Sequence, residues 1–287
     1  MSAAIAAPRE AHVLWRLLAA PGASIGAVVL VVLVGCALAA PLIVPFHWNE
    51  TRVCTRLAAP SAVHLFGCDL YGRDLFSRVM YGGRFSLSVG VATVAVSLVF
   101  GGLFGTAIGY AGGRVDAIGS RAIDVMLGFP PIIMAILVVA VLGVGLWNSA
   151  LAVGIAGIPR FARVVRGATL TLAGREFVEG AHAIGPGRSR VVRRHLLPNL
   201  APTLIVLTSL DLGNAVLATA TLSFLGLGAQ PPAPEWGAML NAGREFIRYA
   251  PWTMLFPGAA LFLAVMAVNL VGDRLSQVLD PRQRGRG

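Results

Sequence analysis

The stretch Phe85-Ser-Leu-Ser-Val-Gly-Val-Ala-Thr-Val-Ala-Val-Ser-Leu-Val-Phe-Gly-Gly-Leu-Phe-Gly-Thr-Ala-Ile-Gly-Tyr-Ala111 decides the class of this protein. It runs for 27 residues without one charged side chain. A helix of that length reaches about 40 Å, which exceeds the ~30 Å hydrocarbon layer of a bilayer. The stretch therefore predicts a transmembrane helix.

The rest of the 287-residue chain has the same character. Hydrophobic residues make up 56% of it and charged residues only 13%, whereas a soluble domain carries roughly 25% charged residues. This deficit argues against a soluble enzyme. Six apolar segments can be drawn, at 23–45, 85–111, 122–146, 148–170, 200–226 and 253–272. We expect an all-α, polytopic integral membrane protein with about six transmembrane helices.

The first apolar segment could be mistaken for a signal peptide, because Ala37-Leu38-Ala39 resembles a cleavage site. Its apolar run starts late, near Ala23, and continues to Pro45. We therefore interpret it as an uncleaved span.

All 23 basic residues are arginine, and the sequence contains no lysine. A Schiff-base lysine and a Gly-rich phosphate loop ending in Gly-Lys-Ser/Thr are therefore excluded. If transport by this protein uses ATP, another chain must bind the nucleotide.

The arginines indicate the orientation, since cytoplasmic loops carry the excess of basic residues. One side holds 16 of them: Arg9, Arg16, Arg114, Arg121, Arg160, Arg163, Arg166, Arg175, Arg188, Arg190, Arg193, Arg194, Arg274, Arg282, Arg284 and Arg286. The other side holds seven: Arg52, Arg56, Arg73, Arg78, Arg84, Arg244 and Arg248. This split predicts that both termini are cytoplasmic.

The chain divides into three parts on this basis. Residues 1–84 comprise an N-terminal cytoplasmic segment, the first span and an extracytoplasmic loop. Residues 85–275 form a core of five spans with the inner loop 171–199, and residues 276–287 form a basic cytoplasmic tail.

The inner loop contains the segment 176–198, Glu-Phe-Val-Glu-Gly-Ala-His-Ala-Ile-Gly-Pro-Gly-Arg-Ser-Arg-Val-Val-Arg-Arg-His-Leu-Leu-Pro. Glu176 and Glu179 are three residues apart and share a helix face. Pro186, between two glycines, must end that helix. We predict a helix, a turn and a second short basic helix. The alternative is a solvated loop whose arginines only set topology and contact anionic lipid.

The spacing of Glu179-Gly180-Ala181, Gly185 and Leu197-Pro198 resembles the Glu-Ala-Ala signature of ABC importer permeases. In that family this segment is the coupling helix that docks on the ATPase subunit. Gly180 stands where the family usually has alanine. The resemblance assigns ATPase coupling to Glu176, Glu179, Gly180, Ala181, Gly185, Leu197 and Pro198.

Blocks outside this loop narrow the resemblance to oligopeptide and dipeptide permeases. They are His64-Leu-Phe-Gly-Cys-Asp69, Gly72-Arg73-Asp74, Tyr81-Gly82-Gly83-Arg84, Gly109-Tyr110-Ala-Gly-Gly113, Leu222-Ser-Phe-Leu-Gly-Leu-Gly228, Pro234-Glu235-Trp236-Gly237 and Asp273-Arg274. The ordered set covers most of residues 60–284 and is similar to the C-type permease subunit, which pairs with a second, different permease. It implies the MetI-like permease fold.

The resemblance implies that the chain forms half of the translocation pathway of an ATP-driven importer of short peptides in the bacterial cell membrane. Its expected partners are a second permease subunit, two ATPase subunits that bind ATP and Mg, an extracytoplasmic solute-binding protein and the lipid bilayer. No cofactor is expected on this chain, and no nucleic acid is expected as a partner. The same family pattern also serves nickel or metal chelates.

Two other classes are less consistent with the residues. A secondary transporter would need ionisable residues at mid-membrane, and only Asp211 is clearly intramembrane. A membrane-embedded enzyme would need a cluster of nucleophile, base or metal ligands. We identify no catalytic residue, and the five histidines lack the spacing of metal ligands.

Three smaller features carry further expectations. Gly101, Gly105, Gly109 and Gly113 recur every four residues, which favours close helix packing, against this chain or a partner. Asp211, with Asn214 nearby, is either a pathway residue that meets a peptide's amino group or a hydrogen-bonded packing residue. The Phe129-Pro130-Pro131 stretch after Asp124 marks a candidate kink near a gate.

The cysteines form the last feature. Cys54 and Cys68 lie 14 positions apart in the outer loop 46–84, where oxidising conditions permit a disulfide. Cys68 stands where the family often has threonine. We predict a bridge between these two residues, the alternative being two free thiols. Cys36 lies in the first span and is expected to be a buried thiol.

Overall fold

The computed structural model describes residues 21–176, 178, 180 and 187–279. Within this part of the chain the regular structure is helical, joined by loops and turns, apart from one isolated extended bridge between Cys68 and Asp74. The helices are α1 (Pro21–Ile43), α2 (Leu75–Val96), α3 (Gly102–Ala111), α4 (Gly113–Leu127), α5 (Pro131–Leu142), α6 (Leu146–Ala173), α7 (Arg188–Val191), α8 (Leu197–Phe224), α9 (Trp236–Gly243) and α10 (Trp252–Leu279). The expected all-α class is confirmed.

Two π-helical turns and one 3₁₀ turn complete the helices. Ser97–Gly101 joins α2 to α3, Val192–Leu196 joins α7 to α8, and Arg244–Phe246 follows α9. As a result, residues 75–111 and 189–224 each form one continuous helical rod.

The long helices run between two ends of the bundle. The loop end is formed by residues 44–74, 143–145 and 225–251, and the basic end by residues 171–176 and 187–196. The Gly145 amide donates to the Leu227 carbonyl at 3.3 Å, which ties two of the loop-end segments together.

The number of apolar spans differs from the expected six. Four described helices are long and apolar enough to cross a membrane: Gly22–Ile43, Leu75–Ala111, Ser189–Phe224 and Trp252–Val278. A fifth is obtained if α4 and α5 count as one broken span, since they meet at 91°. The expected segment 122–146 is therefore divided between the end of α4 and α5, at the kink expected from the proline pair. The expected span at 148–170 is helical as α6, but it carries three arginines and is less apolar than the other long helices.

The break between α4 and α5 has a local cause. The α4 helix ends at Leu127, and Pro131 is the first residue of α5. Pro130 and Pro131 have no amide hydrogen to donate to a preceding turn, and the residue before a proline is pushed out of the helical region. The candidate kink at Phe129-Pro130-Pro131 is thus a full change of direction.

The α2 helix begins ten residues earlier than the apolar pattern predicts. Asp74 is its N-cap, and the Asp74 carboxylate accepts the Ser77 amide at 2.8 Å. This cap satisfies a backbone donor that the helix itself leaves unpaired. The boundary drawn at residue 84 from sequence therefore lies inside α2, and the one at 275 lies inside α10.

The glycine repeat packs against α6 of this same chain. A Cβ atom on Gly101 would lie 2.7 Å from the Ile158 carbonyl oxygen, and one on Gly109 would lie 3.0 Å from that of Arg166. At Gly105 a Cβ would meet the Ala162 carbonyl oxygen at a distance no real side chain shows. These glycines let the α3 and α6 backbones touch.

Gly113 does not belong to this contact. It is the first residue of α4, its φ is +55°, and a Cβ atom there would meet nothing within 4 Å. The regular spacing in sequence therefore continues past the point at which α3 ends, at Ala111. The role of Gly113 is to turn the chain.

Candidate functional site

The candidate coupling segment leaves the basic end of the bundle next to α6. Glu176 and Gly180 are exposed, whereas Val178 between them is only 1% exposed. Glu176 and Gly180 therefore face away from the bundle, and Val178 faces into it. Glu179, Ala181 and Gly185, which the sequence also assigned to coupling, lie outside the described residues.

Val178 is held by a hydrophobic cluster at the basic end. The cluster contains Val178, Val191 and Leu196, with Tyr110, Leu172 and Val192 packed against them. Its members come from the end of α3, the end of α6 and both flanks of the candidate coupling segment. A displacement of the segment would therefore also displace the ends of α3 and α6, since close-packed interiors transmit strain.

The second flank differs from the expected short helix followed by a separate span. The α7 helix, the π-helical turn and α8 are continuous, and Leu197 and Pro198 lie in the first turn of α8. Pro198 cannot donate a helix hydrogen bond and its ring would crowd the carbonyl of residue 194. The π-helical turn that precedes it accommodates the proline without ending the helix.

Three arginines on α6 form ion pairs with two neighbouring helices. Arg166 binds Asp116 of α4 through Nε and Nη2, at 2.5 and 2.6 Å, and Arg163 pairs with Asp124 of α4. Both side chains of the second pair are more than half exposed. These ion pairs connect α4, the first helix of the bent α4–α5 pair, to α6.

The third arginine forms a pair with α8. Arg160 Nη1 lies 2.5 Å from Asp211 Oδ1, and the Asn214 side chain also hydrogen-bonds Asp211. Arg160, which the charge count placed in the cytoplasm, instead lies in the middle of α6. The charge count assigns each arginine to its nearest loop, so it cannot recognise an arginine that forms an ion pair in the middle of a helix.

Sequence reasoning singled out Asp211 and Asn214 as candidates but did not single out Arg160 or the other two paired arginines of α6. A signal was present, because arginines at positions 160, 163 and 166 recur every three residues within an apolar helix and share one side of it. Their partners could not be read from spacing, since Asp211 is 51 residues from Arg160.

At the loop end, Cys54 and Cys68 are joined in a disulfide with their Cα atoms 6.5 Å apart. The disulfide joins the middle of the outer loop to Cys68, which also forms the extended pairing with Asp74, the N-cap of α2. Cys36 is a free cysteine and is half-buried rather than buried, because the surface of α1 on which it lies is only partly covered.

The same loop brings a histidine to the cysteines, although their spacing gave no sign of a metal site. Ligand atoms of Cys54, His64 and Cys68 lie within 4.8 Å of one another. Both sulfur atoms are used by the disulfide, and His64 Nδ1 is 2.9 Å from Asp74 Oδ1. Thiolate ligands are therefore not available in this state.

Buried charges anchor the loop to the bundle. Arg73 Nε donates to Asp69 Oδ2 at 2.6 Å, and Arg78 Nη1 donates to the carbonyls of Trp48 and Pro232, at 3.0 and 3.3 Å. The Arg78 side chain thus ties the segment before α2 to the segment before α9. Removing the Arg78 side chain would therefore take a hydrogen-bond donor away from both carbonyls.

Glu235, also missed as a site residue, locks the short helix α9 to α2. Its carboxylate accepts the amides of Gly237 and Ala238 at 3.0 and 2.8 Å, and the Ser86 hydroxyl of α2 at 3.1 Å. The side chain is 2% exposed. Burial raises the pKa of this carboxyl above its ordinary value, and the hydrogen bonds only partly oppose that effect.

Trp236 completes the lock. Its indole Nε1 donates to the Val79 carbonyl of α2 at 3.0 Å, and its side chain is among the largest that are fully buried. The loop end is thereby a rigid platform made from the segments before α2 and around α9.

Comparison with known proteins gives a consistent result along the chain. Residues 97–285 match the family described as binding-protein-dependent transport system inner membrane component. Residues 11–60 match the N-terminal transmembrane domain of oligopeptide transport permease C.

Similar full-length relatives carry transport names. A dipeptide transport system permease protein of Alkalihalophilus pseudofirmus is 44% identical over 91% of this chain and 86% of the relative. A probable D,D-dipeptide transport system permease protein of Escherichia coli is 40% identical over 96% and 93%, respectively. A glutathione transport system permease protein of Escherichia coli is 46% identical over 79% and 75%.

Among solved structures, the inward-facing MetNI methionine ABC transporter has a chain with a similar fold. The TM-score is 0.57 at 19% identity, and the match covers 72% of this chain and 98% of that chain. At this identity the likeness concerns the fold alone, and it agrees with the expected MetI-like architecture.

Proposed function

Since this chain belongs to the family of binding-protein-dependent transport permeases, the membrane subunits of ABC importers, we propose that it forms half of the pathway of an importer of short peptides. The relatives named above carry dipeptides, D,D-dipeptides and glutathione, which are all short peptides. Their identities of 40 to 46% over most of both chains support the same substrate class here.

Coupling to ATP takes place at the basic end. The observation that supports this is the position of Val178. It is buried in a cluster with residues of α3, α6, α7 and the π-helical turn, while Glu176 and Gly180 on either side are exposed. A partner that grips the exposed residues moves the buried one with them. Two ATPase subunits, which bind ATP and Mg, press this segment to change the pathway between its inward-open and outward-open states.

The remaining partners follow from the same assignment. A second, different permease subunit forms the other half of the pathway, and an extracytoplasmic solute-binding protein delivers the peptide to the loop end. Both termini of this chain then lie in the cytoplasm of the bacterial cell, and the protein is a multi-pass subunit of the cell membrane.

A graded substitution at Gly180 tests the coupling role. A Cβ atom at Gly180 would meet nothing within 4 Å in this chain, so Gly180→Ala and Gly180→Trp leave its own fold intact. We expect Gly180→Ala to support ATP-dependent dipeptide uptake by the reconstituted complex. Gly180→Trp should lower uptake about tenfold or more, the effect of losing about 1.4 kcal/mol at a docking interface.

Co-purification of the ATPase chains is the second readout. The Gly180→Trp complex should lose ATPase subunits on a size-exclusion column, whereas the alanine variant retains them. Wild-type uptake with Gly180→Trp would contradict docking at this segment. Failure of the wild-type complex to take up any short peptide would contradict the substrate class.

A further inference from the structure

Arg160 and Asp211 meet far from the ends of two long helices. The α6 and α8 helices each have 28 residues, and each of the two residues lies 14 positions after the first residue of its helix. At about 1.5 Å per residue the pair is about 21 Å from the start of either helix. The helical rod that contains Asp211 also extends back to Ser189, before the start of α8, so the pair lies inside the bundle rather than at either end.

The arginine of this pair is not covered by its own chain. The Arg160 side chain is 49% exposed, whereas that of Asp211 is 11% exposed. A cation that faces lipid at the centre of a bilayer costs about 3 kcal/mol or more. The open side of Arg160 therefore faces water or another protein surface rather than hydrocarbon.

A groove leads to the pair from the basic end. It has a volume of about 580 Å³ and lies between α6 and α8, with Arg175 and Asn199 at its mouth and Val164 and Leu207 at its far end. Val164 is one helical turn from Arg160, and Leu207 is one turn from Asp211, so the groove ends beside the pair.

Polar side chains occur along the groove, although most of its lining is apolar. Thr171 and Thr203, together with Arg175 and Asn199, place hydroxyl, guanidinium and amide groups along it. A groove that opens at the basic end and stops one helical turn from a half-exposed ion pair is suited to a ligand with charged groups.

We propose that the Arg160–Asp211 pair is a binding site for the two charged termini of a zwitterionic peptide. This proposal rests on the proposed function and names the residues that would meet the substrate. The Arg160 guanidinium binds the terminal carboxylate, for which its planar fork is suited. The Asp211 carboxylate binds the terminal ammonium group, with the Asn214 amide beside it.

The charge balance explains why the ligand is a zwitterion. The closed pair is neutral, and a ligand with one positive and one negative end replaces both partners at once. A single anion or cation would leave the other member of the pair partly buried and unpaired, which costs several kcal/mol. The site therefore accepts a free peptide and rejects the same peptide with both ends blocked.

Protection of a cysteine from alkylation tests the site without relying on delivery by the solute-binding protein. Val164→Cys is introduced with Cys36→Ala in the complete complex, since Val164 is 40% exposed and lines the groove. A free dipeptide at ten times its dissociation constant should slow alkylation at position 164 about tenfold, because about one site in ten remains empty. The N-acetylated dipeptide amide should give no protection.

Neutral substitutions separate binding from a structural role. Arg160→Gln with Asp211→Asn removes both charges together, so no unpaired charge remains, and we expect protection to be lost while the complex still assembles and hydrolyses ATP. The matched control is Arg163→Gln with Asp124→Asn, an ion pair on the same helix three residues away, which should retain protection. The same complexes should show a fall in peptide transported per ATP only for the Arg160 and Asp211 variant.

Three results would overturn the proposal. They are equal alkylation with and without dipeptide, equal protection by the blocked peptide, and protection that survives neutralisation of both Arg160 and Asp211. A wild-type complex that assembles but transports no peptide would instead count against the proposed function, so the two failures are distinguishable.

Discussion

At the scale of single residues, Glu235 is the group whose environment most directly sets a pH dependence. Its carboxyl is buried between α9 and α2, and burial raises its pKa above the ordinary value of 4.5. The folded protein then binds this proton more tightly than the unfolded chain does. Its contribution to stability is complete below pH 4.5 and is lost as the pH rises through the raised pKa.

Glu235→Gln should remove that dependence. Between pH 5 and 8 the free energy of unfolding of the wild type should fall relative to that of the variant, with a slope of at most about 1.4 kcal/mol per pH unit for one proton. The measurement is the thermal midpoint of the detergent-solubilised protein, followed by tryptophan fluorescence at a series of pH values. Because glutamine has one acceptor oxygen where two are used, only the pH slopes are compared.

Glu245→Gln is the control, since Glu245 is an exposed acid at the same loop end. It should leave the pH slope of the wild type unchanged. Parallel curves for the wild type and Glu235→Gln would show that burial of Glu235 has no effect on stability in this range.

At the scale of elements, the contact of α3 with α6 depends on the absence of side chains. In Gly105→Ala the new methyl group would be 3.0 Å from both the Ala162 Cα atom and the Arg166 amide nitrogen, so the helices must separate. We expect a loss of about 1 to 3 kcal/mol, as for overpacked cores. Gly102→Ala, where the nearest atom is 4.0 Å away, is the control and should be neutral or slightly stabilising. Thermal midpoints of both purified variants check the pair, and equal midpoints would contradict the close contact.

The elements also show what a sequence pattern can and cannot predict. Apolar runs located the four long apolar helices, because a helix in a bilayer must be apolar along its whole length. The proline pair at 130–131 marked the break after α4, but it did not give the 91° angle between α4 and α5 or the ion pairs of α4 with Arg163 and Arg166. Those pairs join positions 39 and 50 residues apart, so local pattern carries no information about them.

At the scale of the whole molecule, the coupling segment was assigned by its motif, whereas only one member of the Arg160–Asp211 pair was singled out from sequence. Asp211 is conspicuous as an acid in an apolar run. Arg160 was assigned to a loop, because counting charges treats each arginine as lying at a helix end. Which arginine meets Asp211 depends on the rotation of α6 against α8, which is a property of packing.

This correction bears on the predicted orientation of the chain. Removing the three paired α6 arginines from the basic side lowers its count from 16 to 13, which still exceeds seven on the other side. The excess therefore still predicts that the basic end is cytoplasmic. Labelling with a membrane-impermeant maleimide checks this. The Cys36→Ala background has no free thiol, because Cys54 and Cys68 are bridged, and it should remain unlabelled unless a reductant is added.

Two single cysteines in that background report the two ends. Ser189 is exposed at the basic end and Ala242 is exposed at the loop end. In intact spheroplasts we expect Ala242→Cys to react with the maleimide, since the loop end faces outwards to receive the solute-binding protein. Ser189→Cys should react only after the membrane is permeabilised, because its segment faces the ATPase subunits. The opposite pattern would place the arginine-rich end outside the cell and would contradict both the orientation and the proposed site of coupling.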